Sequence, residues 1–334
     1  MKTWYPRRIV LKSLATVVSV FFLLALTALP ALAKVGPIKE YTVPTPKSHP
    51  EILVLGPDGN MWFTENFGNN IGRITPKGQI TEFAIPTPNS IPIGLTVGPD
   101  KNLWFVEFNT NKIARMTLKG KFTEFTIPTP NSMPDFITTG PDGNMWFVEF
   151  NTNKVGRMTL SGQFTEFTIP SPATFPGYIV VGPDKKLWFT EQATNKIANI
   201  TTSGVFTEYV VPTANSNPFG LARGGDGKMW FTETNTNKIG SITTRGVIQE
   251  FTIPTANSIP FAIAPGPDGN LWFTESQTNN IARITFDGKI TEFPIPSPQS
   301  RPTGIAPGLG DSLWFAHGGA TPQYGNQIGR LKTP

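Results

Sequence analysis

The chain has 334 residues, with 28 basic residues, 23 acidic residues and no cysteine. Without cysteine it has no disulfide framework, no thiolate metal site and no cysteine nucleophile. The formal net charge of +5 depends on the first 33 residues, which hold four basic residues and no acidic ones; 28 less four leaves 24 basic against 23 acidic residues beyond them, a net charge of +1. Because so small an excess cannot neutralise many phosphates, we exclude nucleic acid as a partner.

Residues 1–33 have the pattern of a secretory signal peptide. Four basic residues precede and flank the start of an apolar run from Leu14 to Leu29, and Ala31 to Ala33 supplies a small-residue cleavage site. The pair Arg7-Arg8 also fits a twin-arginine signal, so both export routes stay open. No later stretch is long and apolar enough to span a bilayer. We therefore expect an exported protein, periplasmic or extracellular, with residues 34–334 as one domain and no stable membrane span after cleavage.

A ten-residue pattern returns through the rest of the chain and is clearest from Gly266 to Glu275, which reads Gly-Pro-Asp-Gly-Asn-Leu-Trp-Phe-Thr-Glu. Each repeat holds four short β-favouring runs separated by turn residues. Seven such repeats predict an all-β fold, a seven-bladed β-propeller with four-stranded blades. The tryptophans of the pattern are 42 residues apart, at Trp62, Trp104, Trp146, Trp188, Trp230, Trp272 and Trp314. In one repeat the predicted strands are Ile263 to Pro265, Leu271 to Thr274, Ile281 to Thr285 and Ile290 to Ile295.

The two ends of the repeat array are each incomplete. After Trp314 the sequence leaves room for a strand from Ile328 to Leu331 but not for an outer strand beyond it. Ile38 to Val43 has the sequence of an outer strand and precedes the first complete repeat. We predict that this N-terminal strand joins the last blade and closes the ring.

Features present in every repeat are assigned to the scaffold. Twenty of the 23 acidic residues recur at three fixed positions: three residues after the tryptophan, on the outer strand, and in the turn before the tryptophan. The glutamates that follow the tryptophans suit a ring around a metal or a cationic ligand. Hydrogen bonds accepted from backbone or asparagine groups, which would tie the blade-edge loops, explain their regularity better. Outside the pattern are Asp287, in a turn, and Glu51 and Asp135.

Residues that depart from the repeat concentrate on one face of the predicted ring, which we call the mouth. It is formed by the loops that lead into the inner strands and the loops that leave the tryptophan strands. In the last blade the second loop is five residues longer than in the others. Histidine and carboxylate groups permit acid/base chemistry, so the candidate catalytic residues are His49, Glu51 and His317. Aromatic and polar groups suit a small-molecule site, so the candidate substrate-binding residues are Asp135, Phe175, Phe219, Phe261, Arg301, Thr303 and Tyr324.

The repeat resembles that of the streptogramin B lyases, the virginiamycin B lyase family of seven-bladed propellers, throughout residues 38–334. The resemblance rests on the ten-residue pattern, on Asn-Lys-Ile-Gly-x-Ile-Thr as at Asn237 to Thr243, and on Ile-Thr-Glu-Phe-x-Ile-Pro-Thr-Pro-x-Ser. It implies the opening of a cyclic depsipeptide antibiotic by magnesium-assisted elimination at an ester. In that carbon–oxygen lyase reaction a histidine removes a proton.

At the positions that the resemblance makes catalytic, this chain departs from the family. A Glu-Pro-His-Gly-Ile segment begins the family's last blade, where its glutamate holds the metal and its histidine is the base. This chain has Arg301-Pro302-Thr303-Gly304-Ile305 there. A second metal-binding glutamate is replaced by Gly318, and a substrate-contacting histidine by Phe261.

The sequence therefore favours a binding platform, for a small molecule, a peptide or a protein partner at the mouth, that lacks the family's catalytic residues. The alternative is an enzyme, either a carbon–oxygen lyase of the family type that uses Mg²⁺ or a hydrolase. Its site would be reassembled from His317 and from His49-Pro50-Glu51, which reverses the family's Glu-Pro-His one blade further round. Convergence of His49, Glu51 and His317 in one pocket would favour catalysis, and side chains that point apart would favour binding.

Overall fold

The computed structural model describes residues 36–318 and 326–333; the predicted signal peptide and Tyr324 lie outside them. The described residues form 28 strands, arranged in seven four-stranded antiparallel sheets. These sheets are the blades of a ring, because each innermost strand contacts the innermost strands of both neighbouring blades. The predicted all-β, seven-bladed propeller is confirmed. Among the described residues, no helix is long and apolar enough to cross a membrane.

Each blade contains an inner strand, a tryptophan strand, a third strand and an outer strand, and the blades are numbered 1 to 7 in chain order. The inner strands are Pro50–Leu55 (β2), Pro92–Val97 (β6), Pro134–Thr139 (β10), Pro176–Val181 (β14), Pro218–Arg223 (β18), Pro260–Pro265 (β22) and Pro302–Pro307 (β26). The tryptophan strands are Met61–Glu65 (β3), Leu103–Glu107 (β7), Met145–Glu149 (β11), Leu187–Glu191 (β15), Met229–Glu233 (β19), Leu271–Glu275 (β23) and Ser312–His317 (β27). The third strands are Asn70–Ile74 (β4), Lys112–Met116 (β8), Lys154–Met158 (β12), Lys196–Ile200 (β16), Lys238–Ile242 (β20), Asn280–Ile284 (β24) and Gln327–Lys332 (β28). The outer strands are Ile80–Ala84 (β5), Phe122–Thr126 (β9), Phe164–Thr168 (β13), Phe206–Val210 (β17), Ile248–Thr252 (β21), Ile290–Pro294 (β25) and Lys39–Thr42 (β1).

The inner strands begin earlier than the sequence predicts. In blade 6 the predicted strand starts at Ile263, whereas β22 starts at Pro260. Proline lacks a backbone N–H but is tolerated as the first residue of a strand, so it does not interrupt the ladder here.

Blade 7 takes its outer strand from the N-terminus, as predicted. Strand β1 pairs antiparallel with β28, and Lys39 lies opposite Arg330. The Ser297 hydroxyl donates a hydrogen bond to Glu40 at 2.9 Å, which ties the linker from blade 6 to this strand. Strand β1, near the start of the chain, therefore completes the sheet that contains β26, β27 and β28. This pairing covers the edge of β28 and closes the ring.

The ten-residue pattern builds the contacts between blades. Trp62 of blade 1 and Phe105 of blade 2 are fully buried in one apolar cluster, and the same pairing recurs around the ring. Asp58 accepts a hydrogen bond from the Trp62 indole N–H at 3.0 Å, so the turn aspartate satisfies a buried donor. In blade 7, where the aspartate is shifted, the Ser312 hydroxyl accepts from Trp314 at 3.3 Å instead.

The glutamates that follow the tryptophans also belong to the scaffold. Glu107 accepts hydrogen bonds from the hydroxyls of Ser90 at 2.9 Å and Thr110 at 2.7 Å, both in loops at the blade edge. We expected backbone or asparagine donors; hydroxyl donors predominate, and asparagine donors occur in blades 1 and 6, at Asn70 and Asn280.

Candidate functional site

A β-bulge in every inner strand positions the residues at the centre of the ring. In blade 1, Glu51 and Ile52 lie opposite the single residue Thr64 of the tryptophan strand. Bulges of this kind re-aim side chains, and they are common beside functional sites. We call the ring of bulge residues the neck. Its members are Glu51 and Ile52, Ile93 and Gly94, Asp135 and Phe136, Gly177 and Tyr178, Phe219 and Gly220, Phe261 and Ala262, and Thr303 and Gly304.

Aromatic side chains form one wall of the neck. The rings of Phe136 and Tyr178 are stacked, with their centroids 3.7 Å apart. Phe219 lies edge-on to Tyr178, with the ring centroids 5.5 Å apart. It also contacts Phe136, although blade 4 lies between its own blade 5 and blade 3 of Phe136. Phe261 continues the wall, 4.4 Å from Phe219. A contact between blades 3 and 5 is possible only near the axis of the ring, so this wall lines the central passage.

Two carboxyl groups face the same region. Asp135 is only 7% exposed. Its burial, and to a smaller extent the charge of Glu51, raise its pKa well above the ordinary value. Burial also raises the pKa of Glu51, to about 7, and Glu51 accepts a hydrogen bond from the Asn66 amide. Burial and then the charges of both carboxyls raise the pKa of Tyr178. The charge of Glu51 therefore reaches both Asp135 and Tyr178 across the neck.

His49 lies at the rim of the mouth, directly before the inner strand of blade 1. Its backbone is left-handed, with φ of 54°, and its ring lies 5.0 Å from that of Phe67. Burial lowers its pKa, which favours the neutral imidazole. A Cβ atom on Gly318 would come within 3.2 Å of the imidazole, so the glycine of blade 7 makes room for this ring.

His317 has a different environment from His49. It is fully buried inside blade 7, stacked at 5.1 Å on Phe315, and its Nε2 atom lies 3.8 Å from Glu40 Oε1. It occupies the position of the repeated glutamates that follow the tryptophans. His317 therefore offers no accessible atom to the mouth.

The remaining candidate residues divide between the neck and the rim. Thr303 is buried, and its hydroxyl donates to the carbonyl of Pro50 at 3.2 Å, which ties blade 7 to blade 1. Arg301 is exposed at the rim, and Phe175 is 40% exposed there, stacked 5.0 Å from Phe150. The structure thus brings Glu51, Asp135, Phe219, Phe261 and the buried Thr303 to the neck, places His49, Phe175 and Arg301 at the rim, and buries His317 inside its blade.

Two residues at the site were not among the sequence candidates. Tyr178 stands at a bulge position where the other blades have glycine, alanine, isoleucine or phenylalanine. Asn66 stands four residues after its tryptophan, in the register of Gly318. Tyr178 places a hydroxyl at a position that is apolar in the other blades, so a comparison of every polar residue with the repeat identifies it. The position of Asn66 varies among the blades and gives no such signal.

A cavity lies beyond the neck rather than at the mouth. Its volume is about 270 Å³, and it is lined by the later halves of the seven inner strands. Ile52, Phe136 and Tyr178 separate it from the mouth, and Arg223 contributes the one cation among its lining residues. The inner strands run away from the mouth, so this cavity lies toward the opposite face.

The sequence matches the model of the virginiamycin B lyase family over residues 26–177 and 137–334. The chain belongs to the virginiamycin B lyase family. Virginiamycin B lyase from Staphylococcus aureus is 40% identical, with a TM-score of 0.84 over 89% of this chain and 99% of that one. A streptogramin B lyase structure is 38% identical, with a TM-score of 0.84 over 89% of this chain and 98% of that one. A catalytically inactive histidine-to-alanine variant of the S. aureus enzyme, solved with quinupristin, is 39% identical, with the same TM-score over 89% and 99%.

The magnesium ion that the family resemblance implies does not fit the residues of this chain at the implied positions. Arg301 supplies a guanidinium, which is a donor and not a ligand, and Gly318 supplies no side chain. Magnesium requires oxygen ligands in near-octahedral geometry. Within residues 36–318 and 326–333, no group of three or more histidine, aspartate or glutamate side chains is arranged to hold a metal ion.

Proposed function

We propose that this member of the virginiamycin B lyase family binds a compact, partly apolar ligand of the cyclic peptide class at its mouth, without the family's catalytic residues. The observation that carries the proposal is the neck itself. An aromatic wall of Phe136, Tyr178, Phe219 and Phe261 faces the carboxyl groups of Glu51 and Asp135. Apolar surface supplies affinity and a few polar groups fix orientation, which is the usual composition of a small-molecule site.

The relatives support this class of ligand. A catalytically inactive variant of the S. aureus enzyme, 39% identical to this chain, was solved with quinupristin. Quinupristin is therefore the first ligand to test. Because Arg301, Thr303 and Gly318 stand at the catalytic positions of the family, we expect binding without opening of the ring.

The experiment is calorimetric titration of quinupristin into the folded protein, followed by chromatography and fragmentation mass spectrometry of the recovered ligand. We expect saturable binding and an intact ligand. Phe219→Ala should weaken binding about tenfold or more, since it removes part of the aromatic wall. Phe286→Ala is the matched control, because Phe286 lies in a turn away from the mouth and contacts Trp230. Absence of binding, or equal loss in both variants, would refute the proposal.

An enzyme with a relocated base is the second candidate, and one observation favours it. In blade 1, His49, Glu51 and Asn66 stand in the register that Arg301, Thr303 and Gly318 hold in blade 7. Glu51 has a pKa of about 7 and accepts a hydrogen bond from Asn66, so it suits a general base at neutral pH.

The recovered ligand distinguishes the two candidates. Elimination moves one proton from carbon to Glu51 while the ester carbon–oxygen bond breaks, so the ring opens at unchanged mass. Hydrolysis opens the ring with the gain of one water. Either product, if it disappears in Glu51→Gln and persists in Phe286→Ala, would replace the binding proposal with the enzymatic one.

A further inference from the structure

We propose that the neck contains a subsite for an organic ammonium group, held between the carboxylates of Glu51 and Asp135 and the aromatic wall. This inference rests on the proposed function and specifies the chemistry of the ligand. It predicts that the bound molecule carries a protonated amine on an apolar body.

Asp135 is the observation from which the inference starts. It is more than nine-tenths buried, yet its carboxyl accepts no hydrogen bond from residues 36–318 or 326–333. It stands at the bulge of β10, which places it in the neck, and the charge interactions link it to Glu51 of blade 1 and Tyr178 of blade 4. A buried polar group without a partner is costly, and in native proteins it often marks a place that a ligand or ion completes.

The other acids of the chain show that this is an exception. Each of the remaining aspartates and glutamates, all of which lie in the described residues, accepts at least one hydrogen bond from the protein. Glu51 has a single donor, the amide of Asn66. The scaffold thus supplies at least one donor wherever the repeat places an acid, although the Oε1 atoms of the glutamates that follow the tryptophans have no partner. Among the acids of the described residues, Asp135 is the one whose carboxyl accepts no hydrogen bond.

The surroundings of the two acids favour an organic cation over a magnesium ion. Phe136 and Tyr178 are stacked at 3.7 Å, and Phe219 stands edge-on to Tyr178. Aromatic faces attract ammonium groups, and they bury the apolar substituents of an amine. A magnesium ion would instead need more oxygen ligands and room for its bound waters.

The other charges near the neck do not cancel this preference. Glu51, Asp135 and Tyr178 are the ionisable groups at the seven bulges. His49 and Arg301 are the ionisable residues that directly precede the inner strands. Burial favours the neutral form of His49, and the exposed guanidinium of Arg301 is screened by solvent.

The test compares benzylammonium with its neutral analogue benzyl alcohol, each titrated into the folded protein at about pH 8. At this pH the amine of the first probe is protonated, and most of Glu51 is ionised. We expect benzylammonium to bind at least tenfold more tightly. Asp135→Asn and Glu51→Gln should each remove most of that preference, by weakening the binding of benzylammonium much more than that of benzyl alcohol. Asp287→Asn, in an exposed turn, is the matched control and should retain it.

Equal affinity for the two probes, or no binding of either, would overturn the inference. So would displacement of benzylammonium by magnesium at comparable concentration. Each variant is first checked by thermal melting; Asp135→Asn should melt no lower than the wild type, because it removes a buried acid that lacks a partner. If quinupristin binds and the ammonium preference is absent, only this inference fails. If the preference is present and quinupristin does not bind, the choice of ligand in the proposed function fails.

Discussion

At the scale of single residues, His317 shows how a departure from the repeat can be structural. In blade 2, Glu107 and Glu124 lie beside Lys112, whose ammonium group is 2.7 Å from Glu124. In blade 7 the corresponding residues are His317, Glu40 and Gln327. Blade 7 thus lacks both the lysine and one of the two glutamates. Glu40 is left as the one carboxylate of the set, and the set contains no lysine.

This correspondence predicts the effect of restoring the repeat one residue at a time. His317→Glu should lower the free energy of unfolding at about pH 8 by about 1–3 kcal/mol, because it buries a second acid beside Glu40 with no lysine nearby. Adding Gln327→Lys should recover most of the loss, since it recreates the Glu, Lys and Glu set of blade 2. Denaturant unfolding of the two single variants and the double variant measures the coupling. A double variant no more stable than His317→Glu alone would mean that His317 is not a replacement for the scaffold glutamate.

The residues of the candidate site were only partly predictable. Glu51 and Asp135 could be found because they are acids outside a pattern that accounts for nearly all the others. His317 is equally conspicuous in the sequence, but burial and the proximity of Glu40 place it inside a blade. Sequence spacing identifies which residues differ from the repeat; it does not tell whether a side chain turns toward the axis or into its own sheet.

At the scale of the strand, the bulges decide which side chains reach the axis. The alternation of a regular strand directs one residue to each face, so a one-residue shift exchanges the two faces. In blade 3 the bulge falls at Asp135 and Phe136, between the paired residues Pro134 and Ile137. The repeat predicts that these strands exist, because apolar runs and turns recur every 42 residues. It does not predict the bulge, which depends on pairing with the neighbouring strand.

Closure by β1 gives a prediction at the same scale. A chain that begins at residue 44 lacks the pairing of Lys39–Thr42 with β28, the stacking of Tyr41 on Trp314 and the hydrogen bond from Ser297 to Glu40. We expect its melting temperature to fall by more than about 10 °C, since a strand and its buried contacts are lost together.

A chain that begins at residue 36 is the matched control, because it keeps β1 and should melt close to the full-length protein. Adding the missing strand as a separate peptide should restore part of the loss if closure is the cause. Equal melting temperatures for the two truncated chains would contradict closure by β1.

At the scale of the whole molecule, the repeat buries one glutamate in each of six blades. These residues are fully buried, and burial raises the pKa of Glu65 to about 8 and that of Glu149 to about 7. Acids on the outer strands behave in the opposite way. Burial alone would raise the pKa of Glu166, but hydrogen bonds from Thr129 and Lys154 outweigh it and lower the pKa below the ordinary value. The ring therefore contains two sets of acids whose effects on stability have opposite dependence on pH.

The two sets together predict a stability maximum at mildly acidic pH. A glutamate with a raised pKa is protonated in the folded protein up to about pH 7, whereas the unfolded chain loses that proton near the ordinary value of 4.5. The free energy of unfolding therefore decreases as the pH rises from about 4.5 to about 7. The acids with lowered pKa stabilise the fold above their unfolded pKa, and this contribution is lost as the pH falls through the folded value. We expect the melting temperature to peak near about pH 5 and to fall by several degrees toward about pH 8.

A matched pair of variants tests the origin of this dependence. Glu149→Gln imitates the protonated side chain, so it should raise the melting temperature at about pH 8 and reduce its slope above the maximum. Glu166→Gln removes an acid with a lowered pKa and the partner of Lys154, so it should lower the melting temperature at the same pH. Melting curves of the three proteins across the pH range give both effects. A wild type more stable at about pH 8 than at about pH 5 would show that the buried glutamates remain ionised when the ring is folded.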